Sequence, residues 1–114
     1  MRLRLLPLLA LALACSQSES SDDPQATLVK RGKQVFETNC TACHAFDPTQ
    51  PGPVGPPIAG SSLELVRAKV VHNEYPPGYT PKRTTKAMIP LTHLEPDVPA
   101  IAAYLESLGG SKAQ

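Results

Sequence analysis

Two cysteines three positions apart, with a histidine immediately after the second, lie near the middle of the chain: Cys40-Thr41-Ala42-Cys43-His44. Three donor side chains within five residues call for a partner, either one another or something bound. The remainder of the 114 residues explains why a partner is needed. Aromatic residues make up only 4% (two Phe, three Tyr, no Trp), while prolines number thirteen. A chain this short forms one small domain, which excludes a multi-domain enzyme, and so few large side chains leave a thin core. Small domains with thin cores recruit a disulfide, a metal or a cofactor. A third cysteine, Cys15, makes the count odd, so a pure disulfide framework would leave one thiol over.

Three chemistries compete for the motif. A Cys40–Cys43 redox disulfide of the thioredoxin type expects a strand before it and a helix after it. Here a helical pattern precedes and prolines follow. Half of a zinc site would need His72 and His93 as the other ligands, but their separation of twenty-one residues matches no compact finger. The third chemistry is attachment of a c-type haem, whose signature is this spacing. Both sulfurs then reach the two vinyl groups on one porphyrin edge as thioethers, and His44 lies beneath the iron as an axial ligand.

The amino terminus reads as an export signal, residues 1–14. Arg2 and Arg4 precede an apolar run, Leu5 to Ala14, interrupted only by Pro7. Ten residues rise only about 15 Å as a helix, half of what a membrane span requires. The run ends Ala12-Leu13-Ala14-Cys15, which is similar to a bacterial lipobox with Cys15 as the lipidated residue; Ala12-Leu13-Ala14 also satisfies an ordinary export cleavage site. Cleavage before Cys15 would leave 100 residues with nine basic and ten acidic side chains, a charge of −1 in place of +1. No basic excess then points to nucleic acid. Residues 15–25 are read as a flexible tether, because Ser16 to Gln25 has no apolar residue to bury. Residues 26–110 form the domain, and 111–114 a short tail.

Within the domain the fold class is all-α, with three helices and two long proline-rich loops. Thr27 to Asn39 carries Leu28, Val29, Gly32, Val35 and Phe36 at helical spacing. A second helix starts at Ser61 or Ser62, where Ser61-Ser62-Leu63-Glu64 fits a capping box. Its inner face is Leu63, Val66 and Val70, and it ends near Asn73. The third runs from Val98 to Leu108, with Asp97 as the expected cap and Gly109-Gly110 as the stop. Pro48–Gly60 and Glu74–Leu94 are loops, and loops this long in a small domain wrap around something or are disordered.

From Ala26 to Leu108 the chain resembles the small single-haem cytochrome c family. The resemblance rests on Cys40-Thr41-Ala42-Cys43-His44, on Gly32 and Phe36 ahead of it, on Gly55-Pro56-Pro57-Ile58-Ala59-Gly60, and on Tyr104-Leu105 in the closing helix. It implies one covalently bound haem c held by Cys40 and Cys43, with long loops wrapped around it. It implies that Gly32 lets the first and last helices cross near Tyr104. It further implies that the carbonyl of Pro56 accepts a hydrogen bond from His44, orienting the ring and raising its basicity.

The same resemblance places the sixth ligand at Met88, forty-four residues after His44 and ahead of the closing helix. Here the family's Met-Pro is Met88-Ile89-Pro90. His72 and His93 are the rival ligands. Ile58, Leu63, Val66, Val70, Ile89 and Leu91 are expected to line the haem pocket, and Tyr75 or Tyr79 to hydrogen-bond a haem propionate. Lys82, Arg83 and Lys86, with Lys30, Arg31 and Lys33, are expected to ring the haem edge and steer an acidic partner.

The function implied is one-electron transfer. The iron cycles between Fe(III) and Fe(II) with His/Met ligation, no catalytic residue is involved, and respiratory or dehydrogenase proteins are the partners. The alternative is a haem enzyme or gas-binding protein with an open or displaceable sixth position, peroxidase-like, for which His93 is the only distal polar candidate. The expected setting is periplasmic or extracytoplasmic, at a membrane through lipid on Cys15. The protein would act as a monomer or as a subunit of a larger complex, with no nucleic-acid partner.

Overall fold

The computed structural model describes residues 23–109. The export signal, Cys15, most of the tether and the tail lie outside the described residues. Three α-helices follow in order: α1 (Pro24–Asn39), α2 (Leu63–His72) and α3 (Val98–Gly109). A six-residue 3-10 helix, Thr92–Asp97, leads into α3, and no strand occurs among the described residues.

Each helix begins where the local chemistry allows. The Asp23 carboxylate accepts from the Gln25 N–H at 3.0 Å, and Pro24 occupies the first turn, where a missing N–H costs nothing. This cap starts α1 three residues earlier than the apolar stripe predicts and takes Pro24 and Gln25 out of the expected tether. In α2 the cap is Ser62, whose hydroxyl accepts from the Leu65 N–H at 3.1 Å. That register replaces the expected capping box: Glu64 falls one position short of reciprocating, and the Ser61 hydroxyl instead donates to the Ile58 carbonyl. The helix ends at Asn73 in the left-handed conformation (φ 53°), with its N–H on the Ala68 and Lys69 carbonyls. Asp97 does not cap α3. Its carboxylate is taken by the Arg31 guanidinium on α1, at 3.0 and 3.2 Å, and the 3-10 helix feeds α3 directly. Pro96 and Pro99 supply no N–H at this entrance, so little is left for a cap to satisfy.

The core is the crossing of α1 on α3. Gly32 makes it possible: a Cβ there would collide with the Ala100 carbonyl oxygen and stand 2.9 Å from Tyr104 Cβ. One turn on, Phe36 is fully buried, its ring 5.7 Å from that of Tyr104 and tilted by 53°. Val98, Ile101, Ala102 and Leu105 bury the facing side of α3, and Val66, Val70 and Val71 bring α2 against it. Leu63, expected inside, is 43% exposed at the first position of α2. Leu108 is exposed as well.

The two loops close the remaining side. The first, Pro48–Gly60, is tied by main-chain bonds: Val54 and Gly55 donate to the Cys43 carbonyl, Ile58 and Ala59 to Pro48, and Gly60 to Leu105. The second leaves α2 at Asn73 and rejoins the core where the Leu91 N–H donates to Val70 at 2.7 Å. No described helix is long and apolar enough to cross a membrane.

Candidate functional site

The motif unwinds from the end of α1. Cys40 is its C-cap, with its N–H on the Phe36 carbonyl, and the His44 N–H bonds back to Cys40 at 2.9 Å. The Thr41 hydroxyl donates to the Glu37 carbonyl at 3.0 Å, which closes the last turn. Cys40 and Cys43 are therefore presented together, half-buried and unbridged. Burial, helped by the neighbouring Cys43, pushes the Cys40 thiol up to about 11. A thiol so reluctant to ionise argues against the redox-disulfide reading.

His44 is held from two directions. Its Nδ1 lies 3.1 Å from the Pro56 carbonyl oxygen. A carbonyl only accepts, so Nδ1 carries the proton and Nε2 keeps its lone pair. Burial lowers the imidazole pKa, Arg83 lowers it further, and the Pro56 bond works in the opposite direction. The net result is a neutral ring, the form that binds metal. Gly55 sets its position: a Cβ there would stand 2.5 Å from Nδ1 and 3.0 Å from Nε2. The dihedrals of Gly55 are ordinary, so the demand is for space alone. Gly52 repeats it against the backbone, since its Cβ would fall 2.6 Å from His44 Cα.

These residues line one cleft with about 970 Å³ of unfilled space, part of it open to solvent. Cys40, Cys43, His44, Pro56 and Met88, the five residues singled out for the cofactor, all line it. So do Ile58, Val66 and Val70, and both Tyr75 and Tyr79. Ile89 is not in the wall; it is 67% exposed. Leu91 packs against the core and is not in the cleft wall, and its N–H donates to the Val70 carbonyl. His72 and His93 are exposed and do not reach the cleft.

The basic residues divide in a way the sequence does not foretell. Arg31 pairs with Asp97 and Lys33 with Glu37, on α1 and away from the cleft. Lys82 and Arg83 line the cleft itself, while Lys86 is exposed outside it. Lys69 joins them from α2, its ammonium 4.3 Å from the centre of the Tyr75 ring, which in turn stacks on Tyr79 at 5.4 Å. Lys69 and Leu65 are wall residues that sequence reasoning missed. The signal was present, since Lys69 follows Val66 by three and precedes Val70 by one, but a lysine on an apolar face reads as its border.

The donor set and the space fit a haem. Two unbridged thiols lie beside an imidazole of fixed tautomer, a glycine keeps the room beside that ring clear, and a thioether lines the same cleft. Helices gathered about such a cleft define a small all-α haem protein of the covalently attached kind. Comparison with known proteins places it further: the cytochrome c profile matches residues 29–109, and the chain belongs to the cytochrome c family. That family implies a covalently bound haem c. Among curated relatives, the cytochrome bc1 complex cytochrome c subunit of Mycobacterium tuberculosis (strain H37Rv) is 30% identical over 93 residues. The subunit of the same name from Mycobacterium leprae is 30% identical over 94. Each alignment covers 79% of this chain but only 31% and 30% of the relative, so the chain spans less than a third of their length.

Proposed function

We propose that the protein is a one-electron carrier with a single haem c, attached through Cys40 and Cys43 and ligated by His44 and Met88. The observation that carries the reading is the cleft that gathers both thiols, the Pro56-anchored imidazole and the thioether in one wall. When bound, the haem supplies the redox couple Fe(III)/Fe(II). The chain's own residues do the rest. Cys40 and Cys43 fix one edge, and the Pro56 carbonyl holds the His44 ring and makes Nε2 the better donor. Gly55 keeps that ring's place clear, and Met88 contributes a soft thioether that favours the reduced state and raises the potential. Apolar side chains such as Ile58, Val66 and Val70 keep water from the metal.

The peroxidase-like alternative needs a distal polar group, and the candidate taken from the sequence, His93, is exposed on the 3-10 helix away from the cleft. The relatives' name points to a respiratory complex as the kind of partner. The reading also includes export and anchoring by lipid at Cys15, with the folded domain outside the cytoplasm. An absorption spectrum of the exported protein tests the core of the proposal. The oxidised protein should show the weak near-red charge-transfer band of Met-ligated ferric haem, and Met88→Ala should lose it while keeping covalent haem. A high-spin wild type that binds CO rapidly would favour the open site instead. Cys15→Ala should move the protein from the membrane to the soluble fraction.

A further inference from the structure

Residues 54–57 line the cleft, and the carbonyl of each accepts a hydrogen bond. Pro56 accepts from the His44 ring at 3.1 Å, and Gly55 from the Gly52 N–H at 3.0 Å. The outer two are taken by the second loop: Val54 accepts from Arg83 Nη1 at 2.6 Å and Pro57 from Lys82 Nζ at 2.9 Å. The acceptors stand on fixed ground, since the Val54 and Gly55 N–H groups both donate to the Cys43 carbonyl and Pro56 and Pro57 stiffen the rest. The donors have no such footing. Among the described residues, these two side-chain bonds are the hydrogen bonds that hold residues 80–90 to the molecule. Neither cation is drawn off by a carboxylate there, whereas Arg31 and Lys33 on α1 are both ion-paired.

Met88 lies between two moorings of unequal kind. Three residues beyond it, the Leu91 N–H is bound to the Val70 carbonyl, main chain to main chain, at 2.7 Å. Five residues before it, the nearest hold is the Arg83 side chain, and residues 84–87 in between are exposed. We infer that Lys82 and Arg83 are positioning residues for Met88: they latch its loop to the loop that holds His44, and so set how long the thioether stays at the sixth position. The inference rests on the haem reading above, with Met88 as ligand. A charged donor makes a stronger hydrogen bond to a carbonyl than a neutral one, and two such bonds hold a segment that has no main-chain bonds of its own. With the latch broken, the Met88 span is tied at its far end alone, and the conformational freedom it regains draws the thioether away. The His44 side has no part in that motion, because the first loop keeps its own main-chain bonds. The latch therefore divides two behaviours of one fold: closed, it keeps an electron carrier six-coordinate; open, it exposes the sixth position to small ligands.

The test is imidazole entry into the oxidised, haem-loaded protein at pH 8, followed by stopped-flow absorption. At saturating imidazole the observed rate becomes the rate at which Met88 leaves. Arg83→Leu should raise that rate about fivefold, the loss expected for a charge-assisted hydrogen bond at a partly exposed site. Lys82→Leu, at a more exposed side chain, should raise it about threefold, and it serves alone should Arg83→Leu fail to mature. Lys82→Arg keeps a charged donor and should keep the wild-type rate. Lys86→Gln, an exposed change in the same loop, should leave it unmoved. Exchange of the His44 Nδ1 proton, read by NMR, should be equal in every variant. Haem-loaded Leu variants with the wild-type rate of imidazole entry would overturn the inference. So would a His44 proton that exchanges faster in step with imidazole entry, since that marks a general loosening. A wild type without covalent haem or without the near-red band would instead fail the reading on which it rests.

Discussion

Two proline-rich loops close the same cleft, yet they are held by different forces. Pro48–Gly60 is a main-chain structure: the Cys43 carbonyl accepts from both Val54 and Gly55, and Gly60 donates to α3. Among the described residues, no backbone hydrogen bond joins any of residues 80–90 to another main-chain group. That stretch is held by side chains, through the Tyr75–Tyr79 stack and the reach of Lys82 and Arg83 to carbonyls of the first loop. The first loop should therefore hold His44 without a cofactor, and the second should depend more on what it encloses. Composition alone makes them look alike, and only the destination of their hydrogen bonds tells them apart.

One glycine from each loop makes the sharpest test. Gly55→Ala drives a methyl into the His44 ring, and neither the ring nor the Pro56 bond can yield without losing the ligand geometry. A destabilisation of about 3 kcal/mol and loss of the low-spin spectrum are expected. A methyl at Gly78 would meet nothing within 4 Å, so this position demands only its positive φ of 78°. Gly78→Ala should therefore cost about 1 kcal/mol and leave the spectrum intact. Equal effects at the two sites would break the contrast.

Removing the cofactor probes the same difference. In a Cys40→Ala/Cys43→Ala protein, trypsin should cut readily at Lys82, Arg83 and Lys86, while the amides of Val54, Gly55, Ile58 and Gly60 keep measurable protection from exchange. Loss of that amide protection as well would show that the first loop also depends on haem. A smaller effect is expected at Tyr75→Ala, which removes the ring beneath Lys69 and its stack on Tyr79. About 1 kcal/mol of stability should be lost in thermal unfolding, with covalent attachment unchanged. Smallest is Ser62→Ala on α2, between the loops: loss of its bond to the Leu65 N–H should cost roughly 1 kcal/mol or less, with no change in either loop's exchange.

How far the sequence could be read follows the range of the forces involved. Helix existence was legible, because Val35 with Phe36 and Val66 with Val70 show period and burial at once. Helix starts were not. Whether Asp97 caps or pairs with Arg31 is decided by a partner 66 positions away, and Ser61 and Ser62 each have a partner three residues off, in opposite directions, so the pattern alone does not choose between them. The five residues proposed for the cofactor came from motif and resemblance, and all five line one cleft. Leu63 and Ile89 were misplaced and Lys69 was overlooked: Leu63 shares the apolar stripe but stands at the first position of α2, Ile89 lies in a loop that has no period to read, and Lys69 borders the apolar face.

By itself, the sequence determined the chemistry on offer: two thiols and an imidazole at attachment spacing, a single downstream thioether, too few aromatics for a self-sufficient core, and glycines at Gly32 and Gly55. Covalent spacing and side-chain volume are local quantities, and a string of residues records them in full. The tertiary structure decided which groups share a wall. It paired Arg31 and Lys33 of α1 with carboxylates and brought Lys69, Lys82 and Arg83 to the cleft without any. That outcome depends on where α2 and the second loop come to rest, because charges separated along the chain meet only when packing brings them together.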